Sequence, residues 1–167
     1  MITAIVCVDR NWAIGNKGAR LVVIPEDRKY LNAAANNNIL IMGRKTFESF
    51  SAYELPLDCT KIVLSRSGAY QYKDAIVANC PEEALRLSKK FKGDIYVVGG
   101  QECFEGMLPY CDEIEVTYVE YRYEADSYFP NLDKRPEWIM VLESDEQTCF
   151  DTVYYYRKYS KRKDYRP

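Results

Sequence analysis

Apolar residues enter the chain in short β-branched blocks, separated by polar stretches that carry glycine or proline. The first block, residues 2–8 (ITAIVCV), has no alternation of polar and apolar positions and reads as a strand buried on both faces. Residues 39–42 (ILIM), 61–65, 75–78 and 94–98 repeat that character, which suits the interior of a parallel sheet. Between them the spacing turns helical. Pro25 followed by Glu26 and Asp27 opens a helix over residues 25–35, with proline and acidic side chains where a first turn favours them, and Asn36, Asn37 and Asn38 stop it. Cys80-Pro81-Glu82-Glu83 opens an amphipathic helix to about residue 91, with Ala84, Leu85 and Leu87 inward. Residues 47–50 read as the start of another helix after a turn at residues 43–46, and residues 102–108 as a fourth. Residues 51–60 have turn character, and residues 11–17, followed by Gly18, read as an irregular loop. Three late segments, 113–120, 138–143 and 150–159, are rich in β-branched and aromatic residues and read as strands.

Alternation of strand and helix early, followed by strands late, predicts an α/β protein. The pattern amounts to a central, mostly parallel, eight-stranded sheet with an antiparallel C-terminal edge strand, flanked by about four helices. At 167 residues, the expected organisation is one domain over residues 1–167. The tail, with Lys158, Lys161, Arg162, Lys163 and Arg166, reads as solvated, and frayed over residues 160–167.

Composition narrows the chemistry. The chain has no histidine, which removes histidine triads, histidine general bases and H-E-x-x-H zinc sites together. A net charge of −2 gives no reason to expect nucleic acid as a partner. The six cysteines include no C-x-x-C pair and several lie in apolar runs, which fits a reducing cytoplasm. The N-terminal apolar run meets Asp9 and Arg10 at once, unlike a signal peptide or membrane span.

Two strand-turn-helix junctions are suited to phosphate: Ile41-Met42-Gly43-Arg44-Lys45-Thr46 and Val97-Val98-Gly99-Gly100-Gln101. Glycine admits close approach to backbone N–H groups, and a helix start leaves those groups unpaired. Either junction alone is more often ordinary turn chemistry; two in one small α/β domain, one beside Arg44 and Lys45, favour a pyrophosphate-containing cofactor. Asp27 follows the wholly apolar segment Leu21-Val22-Val23-Ile24, surroundings in which a carboxyl tends to keep its proton. It could instead serve only the helix dipole, although Glu26 already supplies such a charge.

Taken in order, these pieces resemble the dihydrofolate reductase family over nearly the whole chain. The matching segments are residues 2–8, Trp12-Ala13-Ile14-Gly15, Ile24-Pro25-Glu26-Asp27, Ile41-Met42-Gly43-Arg44-Lys45-Thr46-Phe47-Glu48-Ser49, Lys61-Ile62-Val63-Leu64-Ser65-Arg66, Val97-Val98-Gly99-Gly100, and residues 108–130 through Thr117 to Asp126-Ser127-Tyr128-Phe129-Pro130. The resemblance implies the fold of that family, with an adenosine-binding subdomain over about residues 38–90. It also implies NADPH as cofactor, dihydrofolate as small-molecule substrate, a monomer, and an antifolate target in tetrahydrofolate biosynthesis.

The resemblance assigns roles residue by residue. Cys7, Ile14, Gly15, Gly18 and Ala19 would enclose the nicotinamide, with the Ile14-Gly15 loop as a lid. Gly43 to Thr46 and Val98, Gly99, Gly100, Gln101, Glu102, Cys103 and Phe104 would clasp the pyrophosphate. Arg44, Lys45, Leu64, Ser65 and Arg66 would line the adenosine end and its 2′-phosphate, and Asp126 would complete the cofactor site. Asp27, backed by Thr117, would bind the pterin and favour protonation at N5 while hydride passes from nicotinamide C4 to pterin C6. Ile5, Val6, Cys7, Leu31, Phe50 and Val98 would form the apolar walls. No metal is implied.

The chain departs from the family at several points. An arginine usual just before the strand that begins near Lys61 is missing from Leu55-Pro56-Leu57-Asp58-Cys59-Thr60. Its loss typically forfeits about 1.5–3 kcal/mol at a carboxylate. Arg28 replaces an apolar residue and is a candidate to reach the benzoylglutamate part instead. Val22 stands for a frequent tryptophan, Phe104 for a tyrosine, and Glu102 for an arginine that can bind pyrophosphate. These departures leave two alternatives open: a reductase of another pteridine or pyrimidine intermediate on the same fold, and a non-catalytic nucleotide-binding relative.

Overall fold

The computed structural model describes residues 1–50, 54–56, 58–68 and 70–165. Residues 51–53 and Leu57, within the stretch expected to turn, and Arg166 of the tail lie outside them.

The strands of the main sheet are β1 (Ile2–Val8), β4 (Ile39–Gly43), β5 (Thr60–Leu64), β6 (Ile76–Ala78), β7 (Ile95–Val97), β8 (Glu113–Val119), β10 (Trp138–Glu143), β11 (Gln147–Cys149) and β12 (Thr152–Lys161). Across the sheet they run β10-β12-β8-β1-β7-β4-β5-β6, and β11 pairs with β12. From β8 to β6 every pairing is parallel. The eight-strand path matches the expected count, with β11 as a ninth. The antiparallel strand is not at the edge: β12 lies between β8 and β10 and is antiparallel to both. Periodicity reports a strand's faces but not its neighbours, so this order was not readable from pattern alone.

Four helices complete the frame: α1 (Pro25–Ala35), α2 (Arg44–Ser49), α3 (Pro81–Ser88) and α4 (Gln101–Met107). Helix α1 has the predicted bounds, and Asn37 beyond it takes the left-handed conformation (φ 59°) that asparagine tolerates. Helix α2 corrects the expectation for residues 43–50. Gly43 is itself the N-cap, so the helix begins at Arg44 and ends near where it was expected to start. Helix α3 stops at Ser88, three residues short of the expected end. A further correction concerns the tail. Strand β12 continues to Lys161, whose N–H donates to the Asp112 carbonyl while its Nζ donates to that of Pro109, and the Arg162 N–H donates to Glu137.

Strand β4 lies at the centre of the parallel region. Ile39, Leu40, Ile41 and Met42 are all buried; Ile39 and Ile41 pack with Val97 and Ile114, while Leu40 and Met42 pack on the other face with Ala35 and Val63. Both faces are thus covered, which is why the run shows no polar alternation.

The segment expected to be an irregular loop contains a strand. β2 (Ala13–Asn16) joins β3 (Ala19–Arg20) and β9 (Ser127–Tyr128) in a separate three-stranded sheet. Its strands are too short for periodicity to reveal, and β2 and β9 are joined only by the fold.

Candidate active site

The C-terminal ends of β1, β4, β5 and β7 open into one cleft of about 1930 Å³. In an open parallel sheet the strand ends and the helices that follow them present unpaired N–H groups to this side, where ligands bind. Every site residue expected from the sequence lies on the wall of this cleft.

At one end stands Asp27, in the first turn of α1. The Thr117 hydroxyl donates to its Oδ1 at 2.9 Å. The pairing of β1 with β8 sets Cys7 opposite Thr117, which brings both side chains to the same carboxylate. Burial pushes the Asp27 carboxyl above its ordinary range; the Thr117 bond, the Arg20 charge and a Cys7 contact pull the other way without cancelling it. Burial, and then the Asp27 charge, push the Cys7 thiol far up, so it is a neutral packing group rather than a nucleophile.

Beside Asp27 lies an ion pair. Arg28 Nη1 donates to Glu54 Oε2 at 2.9 Å, and the guanidinium lies 4.8 Å from the centre of the Phe50 ring. Leu31 packs below with Phe47 and Phe50. Asp58 is exposed, while Leu55 and Cys59 turn into the core.

The other end is built from backbone. Gly43 and Gly100 are the N-caps of α2 and α4, and having no side chains they leave the first-turn N–H groups uncapped. The Gly43 N–H donates to the Gly99 carbonyl at 2.6 Å, which ties the ends of β4 and β7 together. The Gly99–Gly100 peptide is cis, and Gly99 has φ +132°, a conformation open to glycine. A Cβ on Gly99 would sit 3.4 Å from Thr46 Oγ1, and one on Gly43 would sit 3.5 Å from the Gly100 nitrogen. Side chains here would fill the space between the two helix starts. That cradle, bordered by Arg44, Ser65 and Arg66, fits a pyrophosphate with a further phosphate at its adenosine end. Cys103 and Phe104 are buried in the core, with the Phe104 ring edge and the Cys103 Cβ lying beneath Gly99 and Gly43.

The segment between β1 and α1 is held by carboxylates. Asp126 Oδ2 accepts from the Lys17 N–H at 2.9 Å, its own N–H donates to the Gly15 carbonyl, and the residue also lines the cleft. Asp9, fully buried, accepts from the N–H groups of Asn11, Ala13 and Tyr123. Sequence reasoning missed Asp9, Arg20 and Glu54. Asp9 is a short-range turn acceptor, a signal that Asp followed by Trp12 with positive φ could have carried. Arg20 and Glu54 enter the site through tertiary contacts alone.

A cradle of uncapped N–H groups at the strand ends, in one cleft with a carboxyl raised above its ordinary range, suits an oxidoreductase that binds a phosphate-bearing cofactor. The dihydrofolate reductase family model matches residues 1–161. The chain belongs to the dihydrofolate reductase family. It is 29% identical over 164 residues to the dihydrofolate reductase of Staphylococcus haemolyticus, covering 96% of this chain and 95% of that one. To that of Neisseria meningitidis serogroup A it is 31% identical over 160 residues, covering 93% and 98%. The fold matches a dihydrofolate reductase from Enterococcus faecalis, solved in complex with NADP(H) and RAB-propyl, with TM-score 0.84, 28% identity, and 97% and 96% of the two chains covered.

Proposed function

We propose that the chain reduces 7,8-dihydrofolate to tetrahydrofolate with NADPH, and that Asp27 is the group that holds the pterin and promotes protonation at N5. The observation that carries the role is the half-buried Asp27 carboxylate, tied to Thr117 at 2.9 Å and shifted toward its protonated form. Bound NADPH supplies the hydride for pterin C6. The protein must then orient the ring, exclude water and supply one proton. Asp27 accepts hydrogen bonds from the amino and N3 side of the pterin, and Thr117 fixes the carboxylate's direction. Cys7, Ile5 and Val6 of β1 and Phe50 and Val98 give the apolar walls. Ile14, Gly15, Gly18 and Ala19 cover the nicotinamide half. The N–H groups behind Gly43 and Gly100 hold the pyrophosphate, with Arg44, Ser65 and Arg66 toward the 2′-phosphate.

Arg28 takes the place of the missing arginine toward the benzoylglutamate tail. It is held near that end of the cleft by Glu54 and Phe50. Arg28→Leu should raise the Michaelis constant for dihydrofolate and leave that for NADPH alone; an unchanged value for dihydrofolate overturns this assignment.

The Asp27–Thr117 pair favours dihydrofolate over a pyrimidine intermediate as substrate. The reading includes a monomer of one domain, working in the cytoplasm in tetrahydrofolate biosynthesis as a target of antifolates, with no nucleic-acid partner. It is supported by the low net charge and by six free thiols. Among the described residues no helix is long and apolar enough to cross a membrane. The direct test follows loss of the NADPH absorbance on adding dihydrofolate. Rapid oxidation that Asp27→Asn cripples at neutral pH is the expected result; wild-type protein that binds NADPH but leaves dihydrofolate unreduced refutes the substrate.

A further inference from the structure

Two guanidiniums face the adenosine end of the cleft, and each already holds a carboxylate. Arg44 Nη1 lies 3.0 Å from Glu48 Oε2, and its guanidinium lies 4.6 Å from the centre of the Tyr70 ring. Arg66 Nη2 lies 3.1 Å from Glu102 Oε2. The two pairs are not equivalent. Arg44 and Glu48 are one turn apart on α2, so their bond stays within one wall, and the guanidinium has donors to spare. Arg66 and Glu102 are 36 residues apart, one beyond the end of β5 and the other in the first turn of α4, so their bond joins opposite walls of the cofactor cradle. Both of these side chains are more than 80% exposed, at 84% and 82%.

A phosphate entering between those walls meets a cation that is already occupied. We propose that Glu102 is an internal competitor for the 2′-phosphate, occupying Arg66 in the free protein and so setting how strongly NADPH is preferred to NADH. The inference rests on the reading that a nicotinamide dinucleotide binds in this cradle. NADH has no 2′-phosphate and leaves the Arg66–Glu102 bond intact. NADPH must exchange that bond for its own, so the gain from its extra phosphate is reduced by whatever the pair was worth. For an exposed ion pair that discount is roughly two- to fivefold in affinity. Because both groups face solvent, it shrinks as salt rises. Glu102 is therefore a specificity-determining residue that acts through Arg66.

Calorimetry at low salt on the wild type, Glu102→Gln, Arg66→Gln and the double variant tests this, with NADPH, NADH and adenosine 2′-monophosphate as ligands. Glu102→Gln should tighten NADPH and adenosine 2′-monophosphate by roughly two- to fivefold and NADH by clearly less. In the Arg66→Gln background the extra gain for the phosphate-bearing ligands should vanish. Equal gains for NADPH and NADH, a gain that survives loss of Arg66, or no gain at all overturns the proposal while leaving the cofactor reading in place. Wild-type protein that binds neither dinucleotide sinks the cofactor reading, and this inference with it.

Discussion

Thr117→Val keeps the shape of a buried β8 side chain and removes one hydrogen bond, the 2.9 Å bond that its hydroxyl donates to Asp27 Oδ1. The consequence depends on the charge of the acceptor. A hydrogen bond to an ionised group contributes about 1.5–3 kcal/mol and one between neutral groups about 0.5–1.5 kcal/mol. Thr117 therefore favours the ionised form of Asp27 over the neutral form by about 1–1.5 kcal/mol, or roughly five- to tenfold in their ratio. Burial already holds the carboxyl above its ordinary range, and Thr117 is the first of the groups opposing that shift. Removing it should push the protonation midpoint higher still. The assay is single-turnover hydride transfer from NADPH to dihydrofolate across pH. The midpoint of the profile should move to higher pH by the logarithm of that ratio, with the NADPH dissociation constant unchanged. A lower overall rate with an unmoved midpoint would refute the coupling and leave Thr117 a packing residue.

Three further expectations concern stability and cofactor binding. Asp27 keeps its proton in the folded state to a higher pH than in the unfolded chain, so its stabilising contribution is complete below the ordinary carboxylate range and is lost as pH rises through the raised value. Asp27→Asn should therefore be more stable than wild type at neutral pH in urea titrations, with the difference fading at acid pH; equal stability at neutral pH contradicts the shift. Gly99→Ala forces a side chain into φ +132° and places a Cβ 3.4 Å from Thr46 Oγ1, a strain of about 1–3 kcal/mol. Both the melting temperature and NADPH affinity should fall, and retention of both would show that the cradle can relax. Leu40→Ala, at a side chain with no exposed surface in β4, should cost about 2–5 kcal/mol in denaturant unfolding, and a cost under about 1 kcal/mol would mean the site collapses around the cavity.

The elements legible in the sequence are those whose environment is uniform along their length. β4 is buried on both faces and β1 is buried on one and half-buried on the other, so their runs are almost wholly apolar, and α1 carries its proline, acids and asparagines at its ends. What escaped was set by partners distant in sequence. Strand β2 pairs with the two-residue β3 next to it, too short to show in the spacing, and with Ser127 and Tyr128 far along the chain, while Asp126 accepts from Lys17, 109 residues away. The position of β12 inside the sheet depends on β10 being added outside it, which no local spacing encodes. Within the site, Asp27 and the two glycine junctions could be singled out from local chemistry. The Asp27–Thr117 link spans 90 residues and was reachable only through the family resemblance. Arg20 and Glu54 had neither kind of signal.

The arginines of the cleft share a logic that individual residues do not reveal. Arg28, Arg44 and Arg66 each hold a carboxylate within 3.1 Å, so a phosphate or a substrate carboxylate exchanges partners with them rather than meeting bare positive charge. The uncapped N–H groups behind Gly43 and Gly100, and Lys45 in the first turn of α2, add attraction that the arginine pairs do not offset. Arg20 differs: among the described residues it has no carboxylate within 4.0 Å, and its charge is felt by Asp27, Glu54 and Arg28. A bare guanidinium near Asp27 favours the carboxylate, the opposite of what proton supply needs. Burial of Asp27 outweighs it, since the net shift is upward. The protonation of Asp27 is therefore a balance between burial, which raises its pKa, and the Thr117 hydroxyl, the Arg20 charge and the Cys7 contact, which lower it.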